Sequence, residues 1–209
     1  MNKISLDNDQ NNLSIEWTKY NFDNTNEFSL NDKYLECRVV DIYDGDTCTC
    51  ILPLFDNYYK FKVRLADIDT CEIKSNSDTN KNLANKARIC LYNLVTNTIT
   101  NTISNSDINS DTNTNTNLDL NLCKKNLRAL LNEKVYLIRI LCGEFDKYGR
   151  LLGYLFSSGE NKIPKIEDIK TKSFNYKLIN EHLAYFYKGD TKLTEQAQLN
   201  ILNNDKNKS

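Results

Sequence analysis

Two arginines and a group of carboxylates are the side chains in this 209-residue chain best suited to handling a phosphodiester. The segment Val63-Arg64-Leu65-Ala66-Asp67-Ile68-Asp69-Thr70-Cys71-Glu72 ends a β-type run with an arginine and follows it with carboxylates. Asp44-Gly45-Asp46-Thr47 lies shortly before it, and Asp146-Lys147-Tyr148-Gly149-Arg150 lies far downstream. Carboxylates can hold a hard divalent cation, and guanidinium forks clamp an anionic phosphate through paired hydrogen bonds. A lysine ammonium is a point charge without that planar fork. Each segment alone has an ordinary reading: a hairpin turn, a strand arginine paired with Asp67 or Asp69, a polar loop. Their order, and their positions at the ends of expected strands, set them apart.

The elements that must position these residues are legible as changes of period. Residues 34–43, 47–52 and 58–65 alternate and are rich in β-formers, which predicts three strands. Residues 134–141 and 151–156 predict two more, joined as a hairpin by the Asp146–Arg150 turn. Leu83, Ala87, Cys90, Leu91 and Leu94 share one helical face, so residues 79–95 read as a helix. Helical spacing returns at 122–131, 175–184 and 191–203. Residues 157–172 read as a polar loop. The expected class is α+β: a small closed five-stranded barrel of the OB type with about three helices.

The flanks differ in composition. Residues 1–33 are rich in Asn, Asp and Ser and predict a mostly disordered polar tail, as do residues 206–209. Residues from about 96 to 121 form an Asn/Thr/Ser/Asp tract with almost no core-forming side chains. That tract reads as a low-complexity insertion in a domain spanning 34–205. Residues 1–33 set three lysines against six carboxylates, and residues 96–122 hold three aspartates and no base. With the total at −1, the remaining core carries +5, a balance compatible with a phosphate ligand.

Seven cysteines, an odd number, read as reduced thiols. Zinc at Cys48-Thr49-Cys50 is a competing reading. It is disfavoured because the spacing is too short for a knuckle and the sole histidine, His182, is remote. Residues 1–10 lack a signal-peptide apolar region, and no run of about 18 apolar residues exists to span a membrane. The expectation is an intracellular protein with no membrane partner; the oligomeric state is left open, with a monomer favoured.

Four blocks in order resemble the staphylococcal nuclease (thermonuclease) family: Val40 to Thr47, Val63 to Glu72, Asp146 to Phe156 and Leu178 to Tyr187. The resemblance implies an OB barrel with three helices and calcium-dependent endonucleolytic hydrolysis of DNA and RNA to 3′-phosphate products. Carried over to this sequence, Asp46 and Asp69 are the calcium carboxylates, and Thr70 supplies a backbone carbonyl. Glu72 is the candidate general base, and Arg64 and Arg150 are the phosphate-binding pair. Lys147, Tyr148, Tyr185 and Tyr187 line the nucleotide pocket. Cys71 stands where the family usually has proline, and His182 where glycine is common. The alternative expectation is a catalytically inactive module of the same fold that binds single-stranded nucleic acid or a protein partner.

Overall fold

The computed structural model describes residues 17–96, 126–189 and 191–206. Five strands close a mixed barrel: β1 (Tyr34–Ile42), β2 (Thr47–Leu54), β3 (Asn57–Leu65), β5 (Leu137–Phe145) and β6 (Leu151–Ser157). Their order is β1-β2-β3-β6-β5, with β5 returning to β1. Every contact is antiparallel except β3 with β6. The result is an OB-like barrel. Two three-residue strands, β4 (Ile68–Thr70) and β7 (Ala184–Phe186), pair beside it.

Alternation explains the barrel wall. In β2, Cys48, Cys50 and Leu52 point inward and are buried, while Thr47, Thr49 and Ile51 face outward. Val39, Ile42, Val63, Leu65, Ile138, Ile140, Leu151 and Leu155 complete the interior. Leu30, upstream of β1, is buried with them, and the chain beside it is tied to β5: Asp32 N donates to Cys142 O at 2.9 Å and Cys142 N to Lys33 O at 2.8 Å. The six described cysteines are unpaired thiols; a hydrogen bond with Cys50 and then burial raise Cys48 well above the ordinary thiol range, and a hydrogen bond with Cys37 and then burial raise Cys50 against the opposing effect of Cys48.

Five helices flank the barrel among the described residues, two more than expected: α1 (Asp78–Thr96), α2 (Leu127–Glu133), α3 (Ile166–Lys172), α4 (Phe174–Asn180) and α5 (Glu195–Lys206). Helix α3 falls where a polar loop is expected. It buries no residue, so it writes no apolar stripe into the sequence. Helix α4 stops earlier than the expected 184, because the chain leaves it in a Schellman turn. His182 takes φ +54° and its N–H donates to Ile179 O at 2.9 Å, while Leu183 N–H reaches Leu178 O at 3.0 Å. Ala184 then enters β7. Strand β5 starts at Leu137 and runs through Gly143 and Glu144 to Phe145 with a register irregularity.

Asn175 of α4 fastens the barrel to this outer layer. It is fully buried, donates to Ala66 O at 2.9 Å and Gly153 O at 3.1 Å, and accepts from Leu155 N at 3.1 Å. Among the described residues no helix is long and apolar enough to cross a membrane. Of the expected tail over residues 1–33, residues 1–16 lie outside the described residues, as does all of the expected insertion beyond Thr96.

Candidate active site

Arg64 closes β3 and is buried, at 8% exposed. Its Nη1 lies 2.5 Å from Asp46 Oδ2, an ionic contact without hydrogen-bond direction, and its Nη2 donates to Asp69 Oδ1 at 2.7 Å. Asp46 is delivered by the tight turn between β1 and β2. Tyr43 N donates to Thr47 O at 2.9 Å, and Asp46 N donates to Asp44 Oδ1 at 3.2 Å. Gly45 makes that turn possible, since a Cβ there would stand 2.4 Å from Ala87 Cβ of α1. The turn is thus pressed against a helix. Thr70 N and Oγ1 donate to Asp46 Oδ2 at 2.9 and 3.0 Å, which locks β4 onto the turn.

Asp69 sits opposite Tyr185 in the β4–β7 pair, and the Tyr185 hydroxyl donates to its Oδ2. Lys192, just before α5, stands 3.5 Å from Asp69 Oδ1 and forms a close ion pair with Glu72. Glu72 is therefore linked to Arg64 through Lys192 and Asp69.

The electrostatics follow from burial. Asp44 is pushed up to about 7, first by burial and then by the Asp46 carboxylate. Burial also raises Asp69, against the Tyr185 hydroxyl that favours its anion. Burial works against the charge on Arg64, but Asp46, Asp69 and Asp44 overcome it and raise its pKa. The same balance raises Lys192, where Glu72 and Asp69 outweigh burial.

In front of Arg64 opens a cleft of about 1040 Å³. Arg64, Lys147, Tyr148, Arg150 and Tyr187 all line it. Arg150 is aimed by the β5–β6 hairpin: Asp146 accepts from Arg150 N at 2.9 Å and from Arg150 Nε at 2.7 Å, and Gly149 takes φ +75°. Burial opposes the Asp146 charge, but these donors and Tyr148 N hold its carboxyl below the usual range. The Tyr148 ring, 72% exposed, lies under the Arg150 guanidinium at 5.5 Å and the Lys147 ammonium at 5.2 Å.

Five of the ten anticipated residues do not line the cleft: Asp46, Asp69 and Thr70 are buried on the far side of Arg64, and Tyr185 and Glu72 lie beyond them. Tyr185 is buried and holds Asp69 from behind, and it does not line the cleft. Glu72 is half-exposed beside Lys192 and is not among the cleft residues. Sequence reasoning missed Lys170, Tyr176 and Lys188 on the cleft wall. Tyr176 sits in an apolar helical pattern and reads as core; in the fold it is half-buried and meets Phe186 edge-on at 5.4 Å. Lys192 carries no local signal at all, since its partners lie more than 100 residues away.

The carboxylates suit a hard cation in their chemistry. Asp46 and Asp69 converge on one guanidinium, and Asp44 adds a third buried carboxyl that Arg64 alone does not neutralise. The donors would be the two converging carboxylates and the Thr70 carbonyl. Among the described residues, no group of three or more His, Cys, Asp and Glu side chains is arranged around a cation position. Compared with protein-family models and with curated proteins, the chain matches none.

Proposed function

We propose that this chain is a staphylococcal nuclease-like phosphodiesterase, a calcium-dependent endonuclease acting on DNA, RNA or both and leaving 3′-phosphate ends. The observation that carries the reading is the convergence of Arg64 and Arg150 on one aromatic-walled cleft, with two carboxylates behind Arg64. The cleft lining sets Arg64, Lys147, Arg150, Lys170 and Lys188 against Asp67 and Asp146, a surplus of cations suited to a phosphate backbone. The tyrosines beside them offer faces for a base or sugar.

Calcium held by Asp46, Asp69 and the Thr70 carbonyl would neutralise a non-bridging phosphate oxygen and order a water. The chain's own groups do the rest. Arg64 and Arg150 donate to the phosphoryl oxygens as charge grows on them, and removing one such donor commonly costs about 10²–10³ in turnover. Glu72 accepts the proton of the attacking water, an assistance worth about 10²–10⁴. To do so it must leave Lys192 and reach the cleft; its side chain is half-exposed.

The Lys192–Glu72 pair is also what favours a second reading, in which the chain binds single-stranded nucleic acid or a protein partner without cutting. Cleavage of single-stranded and duplex substrates, with calcium and with chelator, separates the two. The enzyme reading expects calcium-dependent products ending in 3′-phosphate. It also expects Arg64→Lys and Arg150→Lys to lower the rate at least 100-fold with little change in melting temperature, and Glu72→Gln to remove most turnover. Binding without cleavage under any divalent cation would leave only the second reading.

A further inference from the structure

Lys60, Lys62 and Arg64 occupy alternate positions of β3. Because successive side chains of a strand point to opposite faces, all three project from the outer wall of the barrel. Their register confirms the direction: they stand opposite Ile51, Thr49 and Thr47 of β2, the outward set, while Phe61, Val63 and Leu65 turn toward the core. Tyr58 lies on the same face at the far end of the row and is 73% exposed. Cations two residues apart along a strand are about 6.7 Å apart.

A second groove of about 510 Å³ lies beside this row, lined by Lys60, Phe61, Lys62, Thr49 and, from α2, Arg128 and Asn132. One carboxylate, Asp41, also lines it, and Arg128 neutralises it at 2.5 Å. Among the described residues neither Lys60 nor Lys62 has an ion-pair partner. The groove thus keeps two uncompensated cations, and β3 leads from it directly to the arginine of the large cleft.

We infer that the outer face of β3 is an extended subsite for single-stranded nucleic acid, in which Lys60 and Lys62 hold backbone phosphates flanking the one received by Arg64. The inference rests on the nuclease reading for what happens at Arg64, and it adds the direction in which the substrate strand runs. A strand lying along β3 from Arg64 past Lys62 and Lys60 to Tyr58 meets a phosphate-binding row that ends on a face for base stacking. The subsite recognises length and single-strandedness; base identity is not read there, because lysines and a ring contact phosphates and π-faces.

The test uses the full chain, the double variant Lys60→Gln/Lys62→Gln, and fluorescent oligothymidylates of 12 and 2 nucleotides. Binding is measured by anisotropy in chelator, so that nothing is cut, at several salt concentrations. The double variant is expected to bind the 12-mer roughly tenfold more weakly in moderate salt, with the slope of log affinity on log salt shallower by about 1.4. The dinucleotide, too short to span the row, is expected to bind both proteins alike. Equal 12-mer affinity and slope in the two proteins overturns the subsite, as does an equal loss for 12-mer and dinucleotide. If the length-selective loss is seen in a chain that cuts nothing with calcium, the subsite stands and the nuclease reading falls.

Discussion

A buried carboxyl with a raised pKa makes a pH signature. Asp44 has an ordinary value of 3.8 and is pushed up to about 7 in the fold by burial and by Asp46. Between those values the folded chain holds a proton that the unfolded chain has lost, so the proton favours folding and its contribution declines as the pH rises. The contribution is complete below pH 4 and gone once the pH passes 7. Denaturant titrations without divalent cation should therefore show stability falling across that window, by at most ~1.4 kcal/mol per pH unit for this one group. In Asp44→Asn the fall should flatten; an unchanged slope would assign it to another group. The residues that aim Arg64 were only partly visible beforehand. Asp46 and Asp69 stood out by type and spacing, but the Tyr185 hydroxyl on Asp69 and the Lys192 ammonium on Glu72 are contacts made across the fold.

The elements show where local chemistry and tertiary packing disagree. Helix α4 ends on a left-handed residue that sequence supplies as His182, although glycine takes this conformation without a Cβ penalty. The Schellman bonds and the pairing of Ala184 in β7 enforce it. His182→Gly should stabilise the protein by about 1 kcal/mol, read as a higher melting temperature with unchanged circular dichroism. A neutral or lower melting temperature would mean that the His182 side chain makes a compensating contribution. The long barrel strands were legible because each buries one face. The three-residue strands β4 and β7 were not, since neither is long enough to show a period, and Ile68, Asp69 and Thr70 are all buried whatever their polarity.

At the scale of the whole molecule, the long polar tract separates two helices that both pack on β1. Helix α1 ends at Thr96, and Asn126 caps α2 by accepting from Ala129 N at 3.4 Å. Residues 97–120 contribute few apolar side chains with which to build a core. Deleting them leaves residues 121–125 as the connection and should change the melting temperature by only a few degrees, with a lower loop-closure cost offsetting any lost contact. Loss of soluble protein on that deletion would assign the tract a structural part. The proposed binding of a polyanion belongs to this scale too, because the cations of the large cleft come from β3, the β5–β6 hairpin, α3 and the segment after β7.

Residue types and their periods alone determined that this chain makes a five-stranded barrel, with carboxylates and an arginine at adjoining strand ends. Burial on one face of a strand repeats every two residues and is written locally. Only the closed tertiary structure decided that Arg64 is held by Asp46 and Asp69, that Arg150 lines the same cleft, and that Tyr185 stands behind Asp69 while Lys192 meets Glu72. Those pairings join residues as far as 120 positions apart. They are set by the closure of β3 on β6 and of β4 on β7, and a contact made by closure leaves no mark on the residues next to it in sequence.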